Sequence, residues 1–470
     1  MGDRFEDVSR AGLLAAEVFG HAPAAARLAA LREEPVLLAV GAAEAATRRG
    51  QLLLATAANL LGRLFVFAPA IDVAAAPACV LPGIPGLRAG RPLGAEVRAF
   101  LESLSPRPSL FRYRASAGSG PYLTALVIGD EAPPAPARDV VFVGADAWRA
   151  GLGPDPMSFP VEAEAVFNPL GALLAAALGA AEVAKRIFLR LAEARPETIT
   201  PLERAVTWDL WQHRFDGVTA GPALPRQLDL GRLAVAGVGA IGSAVTLALA
   251  ALDDVTGTVE LVDDDTLSAT NLERVVTARA ADVGRRKVDV AARALRQTSL
   301  RPVPMAARFA VRAPVASAAE TILVGVDSGA ARRRIMNLLL HAVYNGGTQG
   351  SELLVSRHVD LEGPCLECLY PESTQAPPAA QECGRAVVVE ELPEATIGFV
   401  SALAGVLMVA ELVKDRIGGA GPLDAARPVV RLDALAGTPD ASCIEAYRPR
   451  RDCFCQAPET RRRARPTGSG

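Results

Sequence analysis

The chain carries almost no surplus of charge of either sign, with 49 lysines and arginines against 52 aspartates and glutamates in 470 residues. That balance excludes the broad basic footprint by which a protein grips nucleic acid or an anionic membrane. A secretion signal is also missing: MGDRFEDVSR carries acids where such a signal needs basic charge and an apolar run, and Glu6 stands where a myristoylation pattern needs Ser or Thr. Nor is there an unbroken membrane span. The longest apolar stretch, Leu233 to Leu252, is interrupted near its front by three glycines, which makes it a strand, a turn and a helix. Seven cysteines are an odd count, and four stand in close pairs, Cys365/Cys368 and Cys453/Cys455, a spacing that suits metal ligands better than disulfides. What remains is a cytosolic globular protein, half of it hydrophobic and long enough for two or three domains.

From Arg232 onward, strands alternate with helices. LAVAG, TVELVD, TILVGVD and SELLVSRHV read as strands, and AIGSAVTLALAAL, KVDVAARALRQ and RRRIMNLLLHAVY as helices. Such alternation implies crossover connections and a mainly parallel sheet with helices on both faces. The first half looks like a worn copy: PVLLAVG as strand, GQLLLATAANLLGRL as helix, FVFAP as strand. Two long helices also match, NPLGALLAAALGAAEVAK and ATIGFVSALAGVLMVAELVK, each ending Ala-Glu-apolar-x-Lys. These patterns divide the chain into a degenerate domain over 1–195, a linker over 196–228, an intact domain over 229–456 and a disordered basic tail over 457–470.

Gly237, Gly239 and Gly242 form GxGxxG between a strand and a helix. The first permits a tight turn, the second lets a phosphate approach the backbone, and the third lets helix pack on strand. Asp263 follows about 20 residues later at a strand end, where an acid can take ribose hydroxyls. The next loop, VDDDTLSATNLERVV, gathers Asp263, Asp264, Asp265, Asn271 and Arg274, with Lys287 close behind and Asp327 at the end of TILVGVD. A hydride-transfer cofactor needs no such cluster. A triphosphate with Mg²⁺ does, because cations neutralise charge developing on phosphorus and carboxylates hold the metal.

These residues resemble the ThiF/MoeB/HesA superfamily, whose eukaryotic members are the ubiquitin-activating enzymes. The shared pattern is GxGxxG, Asp263-x-Asp265, Asn271-Leu272-Glu273-Arg274, Lys287 at the family's spacing, Asp327, and a zinc knuckle begun by Cys365 and Cys368. The resemblance implies a Rossmann-like adenylation fold, here in two copies with the first degenerate and unable to bind nucleotide. It further implies that Asp263 binds ribose, that Asn271, Arg274 and Lys287 bind phosphates, and that Asp327, helped by Asp265, binds Mg²⁺. Cys365, Cys368, Cys453 and Cys455 would hold a structural Zn²⁺, and Arg10 would reach into the ATP site from the N-terminus. Two departures stand out: Val275 replaces a frequent Gln, and the second cysteine pair is Cys-x-Cys rather than Cys-x-x-Cys.

Conjugation-type members pass the activated acyl group to a cysteine. Cys383, in PPAAQECGRAVVV, sits as their acceptor does, and Arg385 would favour its thiolate; Cys79 and Cys443 are weaker candidates. The expected activity is ATP-dependent adenylation of the C-terminus of a ubiquitin-like protein, followed by thioester transfer to Cys383 and hand-over to a conjugating enzyme. The alternative is adenylation of a sulfur-carrier protein, peptide or tRNA group with no enzyme thioester. An oxidoreductase would need only GxGxxG and Asp263, and a non-catalytic scaffold would need a degenerate second half, against which Arg274, Lys287 and Asp327 speak. The abundance of Ala, Gly and Arg is compatible with a GC-rich bacterial genome.

Overall fold

Short runs of branched and leucine-rich residues condense into two eight-stranded sheets of identical strand order in this computed structural model. It describes residues 9–19, 25–64, 67, 69–105, 113–118, 121–159, 166–192, 196–217, 221–308, 319–371, 395–419, 421–437 and 443–460. The first sheet comprises β1 (Val36–Val40), β2 (Ile71–Ala75), β3 (Tyr113–Arg114), β4 (Tyr122–Ile128), β5 (Ala137–Asp146), β6 (Arg149–Gly153), β7 (Val206–Asp209) and β8 (Arg214–Phe215). The second comprises β9 (Leu228–Ala236), β10 (Val255–Val262), β11 (Leu300–Met305), β12 (Thr321–Val324), β13 (Ala342–Gln349), β14 (Glu352–Val359), β15 (Val429–Asp433) and β16 (Ile444–Glu445). The orders are β3-β2-β1-β4-β5-β6-β7-β8 and β11-β10-β9-β12-β13-β14-β15-β16. In each, the first five strands run parallel and the last three antiparallel.

The helices are α1 (Arg10–Phe19), α2 (Ala25–Glu33), α3 (Ala42–Ala45), α4 (Arg48–Leu61), α5 (Leu93–Leu104), α6 (Leu170–Leu191), α7 (Ala240–Ala251), α8 (Lys287–Leu295), α9 (Gly329–Met336), α10 (Leu366–Leu369) and α11 (Gly398–Arg416). The two long matching segments are α6 and α11, which pack on one another at the centre of one hydrophobic core spanning both sheets. They are apolar nearly all round because every side faces protein. Their shared Glu-x-x-Lys ends point inward and bind the opposite half. Lys185 joins Glu182 at 2.6 Å and also donates to the carbonyl of Ala436 at 2.7 Å, just beyond β15. In return, Glu411 and Lys414 meet His213, in the turn between β7 and β8, at 2.6 and 3.0 Å. The duplication is thus written into the interface as well as the topology.

Three details differ from the pattern reading. Of FVFAP, Phe67 lies in a turn and residues 65, 66 and 68 lie outside the described residues; the described second strand begins at Ile71, alongside β1. RRRIMNLLLHAVY is helical only to Met336; Leu339 takes a positive φ of 54°, and Ala342 onward extends beside β12, so sheet pairing overrides a run whose leucines alone suggest helix. Residues 206–215, expected as linker, carry β7 and β8 of the first sheet. No described helix is long and apolar enough to cross a membrane.

Candidate active site

The glycine loop follows β9 at the carboxyl ends of the parallel strands, where open sheets bind ligands. Gly237 has φ of 79°, a value L side chains rarely adopt, and a Cβ on Gly242 would lie 2.0 Å from the Gly237 carbonyl oxygen. A Cβ on Gly239 would meet nothing within 4 Å, so that face of the loop is open. Asp263 fixes the loop: one carboxylate oxygen accepts the Val238 N–H at 2.7 Å, the other the Asp265 N–H at 2.9 Å. Burial pushes its pKa up, and Lys287 opposes this. Lys287, the first residue of α8, donates to Asp265 at 2.6 Å, while Asp264 pairs with Arg308 at 2.9 Å. The carboxylates of Asp263, Asp264 and Asp265 lie within 4.8 Å of one another, a set of hard oxygen donors suited to Mg²⁺.

Asn271 accepts the Ser268 N–H at 3.1 Å and closes a capping box on the turn over Ala269–Glu273. Arg274 donates to the Thr270 carbonyl at 2.9 Å and to Glu273 at 3.0 Å. Burial lowers its pKa most, Glu273 and Asp327 favour its charge, and Arg10 disfavours it, so all three lie within electrostatic reach of that guanidinium. Asp327 is exposed, three residues beyond β12. Arg10 begins α1, whose N-terminus is held by Glu273: that buried carboxylate accepts the Ser9 hydroxyl at 2.5 Å and the Arg10 N–H at 2.7 Å. Asp263, Asp265 and Lys287 thus meet at the loop of Gly237, Gly239 and Gly242, while Arg274, on the turn closed by Asn271, has Arg10 and Asp327 within electrostatic reach. Cys383 lies outside the described residues. Of the weaker candidates, Cys79 is exposed and Cys443 buried, with its thiol pushed up to about 11 by burial.

Cys365, Cys368, Cys453 and Cys455 are all buried and converge within 4.8 Å. Sulfur separations of 3.4 Å (Cys365–Cys453), 3.6 Å (Cys368–Cys455) and 3.9 Å (Cys365–Cys368) suit a tetrahedral zinc, whose bonds of ~2.3 Å set sulfurs roughly 3.8 Å apart. The Arg450 backbone N–H reaches Cys368 and the Gln456 amide reaches Cys455, each at 3.3 Å, as donors to thiolates should. The one-residue spacing of the second pair works because a short 3₁₀ turn, Phe454–Gln456, aims both sulfurs inward.

The ThiF family model matches residues 215–455, more than half of the chain. The chain belongs to the ThiF family. A model described as the BilD N-terminal domain matches residues 35–210. An uncharacterized protein of Sinorhizobium fredii, y4jF, is 28% identical over 80% of this chain and 68% of its own length. The SAMP-activating enzyme E1 of Haloferax volcanii is 28% identical over 39% of this chain and 68% of its own. A fungal relative, the adenylyltransferase and sulfurtransferase uba4 of Emericella nidulans, is 28% identical over 49% of this chain; there the chain spans about half the relative's length, 48%.

Within this ThiF-family chain, two residues that motif reading passed over shape the site. Glu273 is the unremarked third letter of Asn-Leu-Glu-Arg, yet it couples α1 to the turn Ala269–Glu273. Glu131 is the first half's counterpart of Asp327: β1 ends level with β4 at Val40/Ile128, as β9 ends level with β12 at Ala236/Val324, and each acid stands three residues on. A Cβ on Gly41 would fall 2.2 Å from the Glu131 carboxyl carbon, so this side chain fills the space over the worn loop. The only signal in the sequence was the alignment of Gly129-Asp130-Glu131 with Gly325-Val326-Asp327, legible once the strand registers are known.

Proposed function

We propose that the second half of this chain uses Mg·ATP to adenylate the C-terminal carboxylate of a ubiquitin-like small protein, and that Cys383 then takes the acyl group as a thioester. The first step is supported by Asp263 fixing an open glycine loop with Lys287 beside it, and by Arg274 with Arg10 and Asp327 within its electrostatic reach. Asp263 has lone pairs left for ribose hydroxyls after accepting its two backbone N–H groups. Asn271, Arg274, Lys287 and Arg10 would hold the phosphates. Asp327, with Asp265, would hold Mg²⁺, which supplies charge neutralisation on the phosphate oxygens. The carboxylate nucleophile is already ionised at neutral pH; its oxygen bonds to the α-phosphorus as the bond to pyrophosphate breaks, and no general base is required. In the second step the Cys383 thiolate bonds to the acyl carbon and AMP leaves.

The first half would bind no nucleotide, since Glu131 supplies a negative charge where a phosphate would sit. Zinc at the four thiolates would be structural. Two relatives, the SAMP-activating enzyme E1 of Haloferax volcanii and the sulfur carrier protein adenylyltransferase of Thermus thermophilus, support a small-protein substrate. The sulfur-carrier case, without an enzyme thioester, is the second reading. The deciding experiment follows pyrophosphate release and a thiol-labile adduct with candidate ubiquitin-like proteins for wild type, Asp327→Ala and Cys383→Ala. Loss of both signals in the first variant and of the adduct alone in the second is the expected result. Release without any adduct would transfer the chain to the sulfur-carrier reading, and no release with any partner would remove adenylation.

A further inference from the structure

Arg63 follows α4 in the first half, yet its guanidinium is spent on the second. It is 1% exposed and donates to the carbonyls of Leu272 at 2.5 Å, Val276 at 3.0 Å and Ala278 at 2.7 Å. Its fourth bond goes to Asn59, one helical turn earlier, at 2.9 Å, and Asn59 donates in turn to the Val276 carbonyl at 2.9 Å. None of these partners is a carboxylate. Burying a guanidinium against neutral acceptors is costly, so the arrangement is not explained by ion pairing. What it does is tie down one segment, 272–278, by three of its carbonyls. The Leu272 carbonyl lies between Asn271 and Arg274, the residues assigned to phosphate. The same segment is held from its own half by the Ser243 hydroxyl, which accepts the Val276 N–H at 3.1 Å.

The duplication supplies an internal control. Counting from the helix caps, Gly62 after α4 and Leu252 after α7, the counterpart of Arg63 in the second half is Asp253, which pairs with Arg48 instead. The carbonyl clamp is therefore not a feature both copies share; it runs one way, from the worn half into the half that keeps the glycine loop.

We infer that Arg63, seconded by Asn59, is a positioning residue that fixes the phosphate-binding turn Asn271–Arg274, so that the first half sets the geometry of the second half's nucleotide site. The inference rests on the adenylation reading. Its test uses the full chain as wild type, Arg63→Met, Arg63→Lys and Asn59→Leu. Three quantities are measured: the thermal midpoint, the affinity for a non-hydrolysable ATP analogue together with KM for ATP in pyrophosphate exchange, and hydrogen exchange at amides 272–278. In folded Arg63→Met the analogue affinity falls, and KM for ATP rises, at least tenfold, while exchange quickens at 272–278 but not in α6 or α11. Arg63→Lys, with one nitrogen for three carbonyls, recovers part of the affinity. Unchanged affinity and local exchange in the folded variant would overturn the inference, as would activity lost only in proportion to unfolded protein. If Arg63→Met does not fold, Asn59→Leu decides on the same readouts with a several-fold effect. If wild type binds no ATP, the adenylation reading fails, while local exchange still reports whether Arg63 fixes the segment.

Discussion

Replacing Glu411 by Gln removes the carboxylate that hydrogen-bonds Lys414 on its own helix and His213 across the two halves. Both Glu411 and Lys414 side chains are 1% exposed, and the Trp211 ring lies 5.8 Å from the Lys414 nitrogen. With Gln in place, Lys414 must either stay charged with no carboxylate in direct contact, Asp209 and Asp415 acting on it only at longer range, or lose its proton on folding. The first route costs about 3–5 kcal/mol. The second is set by the unfolded lysine's pKa of about 10.4 and costs roughly 3 kcal/mol at pH 8, at about 1.4 kcal/mol per pH unit. The smaller figure is the expected loss, measured by urea unfolding. Because the folded lysine would then be neutral and the unfolded one protonated, the deficit shrinks as pH rises toward 10. In the wild type, Lys414 and His213 hold the Glu411 carboxyl down to about 2, against burial, which acts to raise it. Its contribution is therefore fully present above the unfolded value near 4.5 and is lost as pH falls through 2, on the order of 3 kcal/mol. A Glu411→Gln variant within 1 kcal/mol of wild type at pH 8, or one whose deficit does not change between pH 7 and 9.5, would refute this account of the interface.

Gly242→Ala forces its Cβ against the Gly237 carbonyl, so the loop must give by about 1 Å; nucleotide affinity measured by calorimetry falls on the order of 100-fold while the fold survives a cost of about 1–3 kcal/mol. Arg10→Ala lowers kcat for pyrophosphate exchange about 100-fold. It leaves α1 docked, because the backbone N–H of that residue, not its side chain, binds Glu273; a matching drop in the thermal midpoint would contradict this. Elemental analysis finds one zinc per chain, lost in Cys455→Ser, and chelation lowers the unfolding temperature without abolishing nucleotide binding by the folded fraction.

The second half was legible because its chemistry is local. GxGxxG, the aspartates after β10, Asn271, Arg274 and Lys287 all lie within residues 237–287, and the turns, caps and ion pairs they make are with residues close to them in sequence. The first half was harder to read. Without GxGxxG or an acidic loop, only periodicity remained, and periodicity passed over the strand at Ile71–Ala75 and hid β7 and β8 inside an apparent linker. Leucine-rich 338–340 misled for the related reason that composition cannot say which neighbour a segment will pair with.

By itself the sequence determined the fold class, the position of the tight glycine loop, and the four thiols that can share a metal, since backbone geometry and ligand chemistry restrict those positions to few residue types. It also held the duplication in the paired Glu-x-x-Lys ends of α6 and α11. Only the tertiary structure decided what those ends do, that Glu131 fills the space over the worn loop, that Glu273 carries α1, and that Arg63 crosses to the segment 272–278. These are contacts between residues up to 264 positions apart. They involve ordinary side chains that no local pattern distinguishes, and burial alone makes them consequential, because a charge removed from water must be matched by whatever the fold brings beside it.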